Sequence, residues 1–255
     1  MFPIRDENPS VHTSIATYAI IGINVATWII LQGMGKNPEL VTSICNHGLI
    51  PGEFLGSLPQ GTEVPLARDF VCVIGGGADW LSPLTSMFMH GGWLHLILNM
   101  WFLAIFGDNV EDAMGYARFF IFYLLCGLGA VSLQLLVNPN SAVPMVGASG
   151  AIGGVMGGYA LLYPRAPVHM VIFLGFFVTR IIVPAYLMLG YWFLLQLLSG
   201  LPTIGRATGG VAFMAHVGGF VAGIVLVRLF CKTDRLQACR KKKGAFKKML
   251  GRPDD

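Results

Sequence analysis

The sequence predicts an all-α membrane protein that folds as one bundle of six transmembrane helices, of which the fourth is short. Only 12% of the 255 residues are charged, about half of the roughly 25% usual in soluble domains, and 55% are hydrophobic. The chain also contains 33 glycines, an excess typical of membrane helices that pack closely together. Because one span takes about 20 residues, this length holds a single bundle and leaves no room for a second domain.

The first span is predicted over 14–32, which is apolar throughout, after a short cytoplasmic N-terminus at 1–13. A polar stretch at 33–83 follows and has five acidic residues against two basic ones, so we expect it to form a loop outside the membrane. Two of the five cysteines, Cys45 and Cys72, lie in this outer loop, where thiols can oxidise. The sequence leaves open whether they pair.

The second span is predicted over about 93–106 and ends at a charged turn, GDNVED, at 107–112. The third span follows over about 118–137. The fourth span starts at Ser149 and ends before Pro164, so it covers only about 22 Å of a hydrocarbon core roughly 30 Å thick.

A broken apolar stretch follows the fourth span, and we place the fifth span over 183–198, with Pro184 in its first turn. Residues 167–180 are then an interfacial segment on the cytoplasmic side. The sixth span, over about 209–228, leads into a tail at 230–255 that holds nine of the 17 lysines and arginines. Such a basic tail is expected in the cytoplasm, where it could touch anionic lipids, and an even number of spans puts both termini there.

Four strongly polar residues lie inside these spans, where polar groups are costly and therefore mark functional sites. His95 and Asn99 are four residues apart on the second span and share one helix face, whereas Ser149 begins the fourth span and His216 lies in the sixth. His90 is rotated off the face of His95, and we expect it to pack in the loop.

Glycines are predicted to bring the fourth and sixth spans together. On the fourth span they recur along one face at 150, 153, 154, 157 and 158, and on the sixth span Gly219 and Gly223 share a face with His216. At 1.5 Å per residue, all four polar residues lie roughly 14–22 Å above the cytoplasmic edge, in the outer half of the bilayer. A serine, a histidine and two further donors at one depth fit the requirements of acyl transfer.

Three motifs in order make the chain resemble the rhomboid family of intramembrane serine proteases: HxxxxHxxxN at 90–99, GASG at 147–150 and AHxGG at 215–219. The resemblance extends over about 83–229 and includes the charged turn at 107–112. It implies a rhomboid-like six-helix membrane domain, here over 14–229. It also implies a bacterial type of this family, set in the inner (plasma) membrane.

The resemblance also implies roles. Ser149 is expected to be the nucleophile and His216 its general base, in a dyad without a carboxylate. His95 and Asn99 are expected to bind the oxyanion, together with backbone N–H groups near Gly147 and Ser149. The free N–H groups at a helix N-terminus favour a negative charge at this place. Some relatives carry a tyrosine that supports the histidine four residues after the serine. Here that position is Gly153, so the sequence leaves open what orients His216.

The expected partners are single-pass or other transmembrane protein substrates and membrane lipids, with no nucleic acid, cofactor or metal. A membrane metalloprotease would need a HisGluxxHis pair, and no glutamate follows any of the six histidines. A transporter would show midplane charges or inverted repeats, and neither is found. The remaining alternative is a catalytically silent rhomboid-like protein that binds membrane clients.

Overall fold

The computed structural model describes residues 2–67, 70–75, 79–174, 177–206, 210–239 and 242. Within these residues the chain forms the α-helices α1 Ile15–Ile30, α2 Glu39–His47, α3 Pro51–Phe54, α4 Ser82–Thr85, α5 Trp93–Met114, α6 Tyr116–Val137, α7 Ser149–Leu162, α8 Ala185–Gly200 and α9 Phe213–Phe230, and residues 233–239 are also helical. Five strands accompany them: β1 Phe2–Asp6, β2 Glu63–Ala67, β3 Phe70–Val73, β4 Pro167–Leu174 and β5 Phe177–Pro184. Most of the predicted basic tail lies outside the described residues.

The six apolar helices α1 and α5–α9 form a bundle, which confirms the predicted helical membrane fold. Four stretches are long and apolar enough to cross a membrane: α5, α6, α9, and α8 with the short helical turn that follows it. The other two apolar helices, α1 and α7, are shorter. The count of six spans therefore stays a prediction.

Helix α7 lies at the centre of the bundle. Its residues from Gly150 to Tyr159 are all buried, although a glycine-rich helix offers little side-chain area to its neighbours. Close approach of the backbones compensates for this, because small residues let two helices meet at van der Waals distance. The glycine-rich sequence thus makes α7 the helix around which the others pack.

The second span does not end at a charged turn, as the sequence had suggested. Helix α5 continues through 107–112 to Met114, and the chain turns at Gly115 (φ +82°), directly before α6. The acidic residues remain helical because they bind the start of α1: Glu111 accepts hydrogen bonds from the backbone N–H groups of Ala16 and Thr17, at 2.9 and 2.7 Å. A carboxylate here offsets the positive end of the α1 dipole and satisfies its free N–H groups.

The segment predicted at the cytoplasmic interface is a β-hairpin. Strands β4 and β5 pair in an antiparallel register that runs from Pro167 opposite Pro184, and the N-terminal β1 adds to the other edge of β4. Val183 pairs with Val168, so the fifth apolar helix starts at Ala185 and Pro184 precedes it, instead of lying in its first turn. Valine and isoleucine, which favour strands, dominate this segment.

The outer loop is folded. Strands β2 and β3 form a small hairpin, and a disulfide joins Cys45 in α2 to Cys72 in β3, which answers the question that the sequence left open. The loop also contacts the chain just before α7, because Leu49 and Met145 exchange backbone hydrogen bonds of 3.0 and 2.7 Å. The outer loop therefore braces the segment that carries Ser149.

Candidate active site

The structure places Ser149, His216, His95 and Asn99 around one cavity of about 840 Å³. Ser149 is the first residue of α7, at the end of the bundle that faces the outer loop. The lining of this cavity is mostly apolar and includes Phe102 on α5. An opening of this kind gives polar groups access to water while neighbouring helices stay in contact with lipid.

Two glycine contacts fix how closely α9 approaches α7. A Cβ on Gly219 would lie 1.9 Å from the carbonyl oxygen of Gly150, and a Cβ on Gly223 would lie 1.9 Å from that of Gly154. The predicted contact between the two glycine faces is thus present. It brings His216, one turn before Gly219, next to Ser149: the Nε2 atom lies 2.7 Å from Oγ, a short hydrogen-bond distance.

The second ring nitrogen of His216 has a partner that the sequence analysis missed. Its Nδ1 lies 2.8 Å from Oε1 of Gln196 in α8, and the indole of Trp192 packs against the ring with centroids 5.9 Å apart. Gln196 could have been found by the criterion applied to the other spans, because it is the single amide in an otherwise largely apolar helix.

His95 points its Nε2 atom toward the chain just before Ser149. Its Nδ1 accepts a hydrogen bond of 3.3 Å from the backbone N–H of Gly91, so the ring proton belongs on Nε2. Gly147 makes room for this arrangement: a Cβ there would lie 2.7 Å from Nε2 of His95, and its φ of +131° is one that side chains rarely adopt.

The backbone N–H of Gly147, which was expected near the oxyanion, already has an acceptor within the protein. That N–H donates to the carbonyl oxygen of Ser86 at 2.9 Å. The N–H of Ser149 remains, because the first turn of a helix has no intrahelical acceptor for it. Asn99 contributes a further donor, since its Nδ2 is buried and finds no hydrogen-bond partner among the described residues.

His90 packs under His95, as expected for a loop residue. Its ring is buried and meets that of His95 edge-on, with centroids 5.1 Å apart, while its backbone exchanges two hydrogen bonds with the side chain of Gln32. Burial lowers the pKa of His90 to about 3, which keeps the ring neutral. A neutral ring is compatible with packing against His95.

The described residues contain no group of three His, Cys, Asp or Glu side chains that could hold a metal ion. The polar side chains that line the cavity include hydroxyl, imidazole and amide groups. In this arrangement a hydroxyl contacts a base, and two further donors lie beside it, which suits attack on a carbonyl and binding of the resulting oxyanion.

Comparison with known proteins identifies a family to which the sequence is similar. The sequence model of the Rhomboid domain matches residues 77–233. Rhomboid-like protein 11, chloroplastic, of Arabidopsis thaliana is 35% identical over 60% of this chain and 53% of its own length, and RHOMBOID-like protein 6, mitochondrial, of the same plant is 31% identical over 57% and 50%. Rhomboid protein 1, mitochondrial, of Saccharomyces cerevisiae is 27% identical over 92% of this chain and 58% of its own length.

The chain spans about half the length of these curated relatives. The expected bacterial type is not borne out, because the matched relatives are mostly eukaryotic, and all three described above carry the name of an organelle.

Proposed function

The chain belongs to the rhomboid family, and from this premise we propose that it is a serine-type intramembrane endopeptidase, which cleaves transmembrane segments of membrane proteins with Ser149 and His216. The observation that carries the proposal is the 2.7 Å contact between Oγ of Ser149 and Nε2 of His216, at the end of a helical membrane bundle. Idle polar groups are costly there, so a contact of this kind favours a chemical role.

The reaction follows from the contact. Nε2 of His216 accepts the hydroxyl proton as Oγ of Ser149 attacks the scissile carbonyl carbon, and the carbonyl oxygen becomes an oxyanion. The imidazolium then gives this proton to the leaving amine as the C–N bond breaks, which leaves an acyl-enzyme. Water, deprotonated by the same imidazole, hydrolyses the ester and restores the serine.

The oxyanion would be held by donors on two helices. Asn99 provides a buried Nδ2 that has no partner in the described part of the chain, His95 provides Nε2–H, and Ser149 adds its backbone N–H at the positive end of α7. These donors are fixed before the reaction starts, which is the condition under which they stabilise a transition state most.

The orientation of the bundle determines where a substrate is cut. We propose that Ser149 lies toward the outer face, because it adjoins the outer loop, whose disulfide requires an oxidising environment. The termini would then lie on the opposite, cytoplasmic side. The scissile bond is accordingly expected in the outer part of a substrate's transmembrane segment.

Substrate would enter sideways past α8. Only 22% of the span formed by α8 is buried, against 39–44% for the other three long spans, so α8 has the least packing to lose when it moves. Helical substrates hide their carbonyls in hydrogen bonds, so residues that destabilise a helix near the cut should help. A small residue before the cut should suit the glycine-lined site.

The test is cleavage of a single-pass membrane protein by the full chain in liposomes, with the product ends determined by mass spectrometry. Ser149→Ala and His216→Ala should abolish turnover and leave the bundle folded. Ser132→Ala is the matched control, because Ser132 is exposed on α6 and only bonds the carbonyl of Leu128 within its own helix. Cleavage by the Ser149 variant would overturn the proposal, and binding without cleavage by the unaltered chain would favour the client-binding alternative.

A further inference from the structure

We infer that Gln196 is a positioning residue that fixes which nitrogen of the His216 ring carries the proton. This inference rests on the proposed function, because it concerns the base that activates Ser149. It also answers the question raised by Gly153, where some relatives carry a supporting tyrosine.

The geometry of the ring carries the inference. Both ring nitrogens of His216 lie within hydrogen-bond distance of a side chain. Nε2 lies 2.7 Å from Oγ of Ser149, and Nδ1 lies 2.8 Å from Oε1 of Gln196. A neutral imidazole donates from one nitrogen and accepts at the other. The partner at Nδ1 therefore determines whether Nε2 donates or accepts a hydrogen bond.

The side-chain oxygen of Gln196 faces Nδ1, and an oxygen accepts hydrogen bonds and does not donate them. Nδ1 is thereby the protonated nitrogen, and Nε2 keeps the lone pair that accepts the serine proton. The opposite orientation of the amide would donate to Nδ1 and place the ring proton on Nε2. His216 could then not act as the base.

An amide suits this position better than the carboxylate found in many serine enzymes. The residues described around the cavity include no Asp or Glu, and a carboxylate this deep among apolar helices would cost much desolvation energy. Gln196 accepts the same hydrogen bond without a net charge. Trp192, one turn earlier on α8, packs against the ring and limits its tilt.

Gln196 and Trp192 both lie on α8, so His216 is held by the helix that is least buried among the long spans. A shift of α8 away from the bundle would remove the hydrogen bond at Nδ1 and the packing of Trp192 together. The position of α8 is thus coupled to the ability of His216 to activate Ser149.

Two variants of the full chain test the inference. Gln196→Leu removes the acceptor and keeps similar bulk, whereas Gln196→Glu keeps an acceptor oxygen. Losing the acceptor of a buried N–H should lower kcat about 10- to 100-fold with little change in KM, because substrate contacts are unaffected. Gln196→Glu should keep a higher kcat than Gln196→Leu because it retains an acceptor oxygen, and desolvation of the carboxylate should lower its thermal stability. Labelling of Ser149 by an organophosphonate reagent should slow in parallel in Gln196→Leu, without any peptide substrate.

A spectroscopic measurement on the unaltered chain does not depend on how the variants fold. With ¹⁵N-labelled histidine, the His216 signal, identified by its loss in His216→Ala, should show Nδ1 protonated and Nε2 unprotonated. The reverse assignment would overturn the inference, as would equal kcat in the wild-type chain and in folded Gln196→Leu. In both cases Ser149→Ala would still be inactive. Activity of Ser149→Ala would instead overturn the proposed function itself.

Discussion

Gly219 on α9 lies so close to Gly150 on α7 that no side chain fits between them, since a Cβ on Gly219 would be 1.9 Å from a backbone oxygen. His216 is one turn away from this contact, so the same approach sets its distance from Ser149. The separation of α7 and α9 is therefore expected to control the geometry of the dyad.

Gly219→Ala should lower the free energy of unfolding by about 1–3 kcal/mol, because the backbones of α7 and α9 must separate to admit a methyl group. Cleavage should fall more strongly than the melting temperature would suggest, since proton transfer depends on the distance between Oγ and Nε2. Thermal unfolding in detergent and cleavage assays measure the two effects. Gly22→Ala on α1 is the control, because a Cβ there meets nothing within 4 Å. Unchanged cleavage in Gly219→Ala would contradict the prediction.

Asn99→Ala should leave residual activity. One oxyanion donor is worth about 10²–10³ in rate, and His95 and the N–H of Ser149 would remain. The loss should fall on kcat, because an oxyanion exists only after attack, and kinetic measurements at several substrate concentrations would show it. Ile97→Ala, at an exposed position on the same helix, should be close to wild type. Complete inactivity of Asn99→Ala, in a folded protein, would mean that Asn99 does more than bind the oxyanion.

Gly147→Ala should reduce cleavage about 10²-fold or more. The new Cβ would displace His95 by collision with Nε2, and the backbone at φ +131° would also be strained. Gly61→Ala separates the two causes: its φ is +78°, but a Cβ there meets nothing within 4 Å. Some loss of thermal stability is expected in both variants. Loss of activity is expected in Gly147→Ala alone, and an equal loss in Gly61→Ala would argue against a specific effect on His95.

Glu111→Ala should lower the free energy of unfolding by about 2–4 kcal/mol. The carboxylate accepts from two backbone N–H groups of α1 and from the hydroxyl of Thr17, at 2.7–2.9 Å, and these donors would be left buried without a partner. Thermal unfolding in detergent measures the effect. Glu63→Ala, at an exposed position on β2, is the matched control and should change little. Equal melting temperatures for both variants would contradict the assignment of Glu111 as a cap.

The sequence predicted those parts of the site that depend on local spacing. Because residues four apart share a helix face, the spacing placed His95 and Asn99 on the same side of one helix. The periodicity of the glycines predicted the contact between α7 and α9. The sequence did not predict features whose partners lie far along the chain. Strand β1 pairs with β4 more than 160 residues later, and the acidic segment of α5 binds the start of α1 through Glu111. Local composition indicates a turn there, and the tertiary contact overrides it.

The cap on α1 has a consequence for how the protein is made. Glu111 is 95 residues further along the chain than Ala16, whose N–H it accepts, so α1 leaves the ribosome well before its cap has been synthesised. Until α5 arrives, the free N–H groups at the start of α1 must bond to water or lipid headgroups, which holds that end at the membrane surface. Helix α1 therefore reaches its final hydrogen bonding only after Glu111 has been translated.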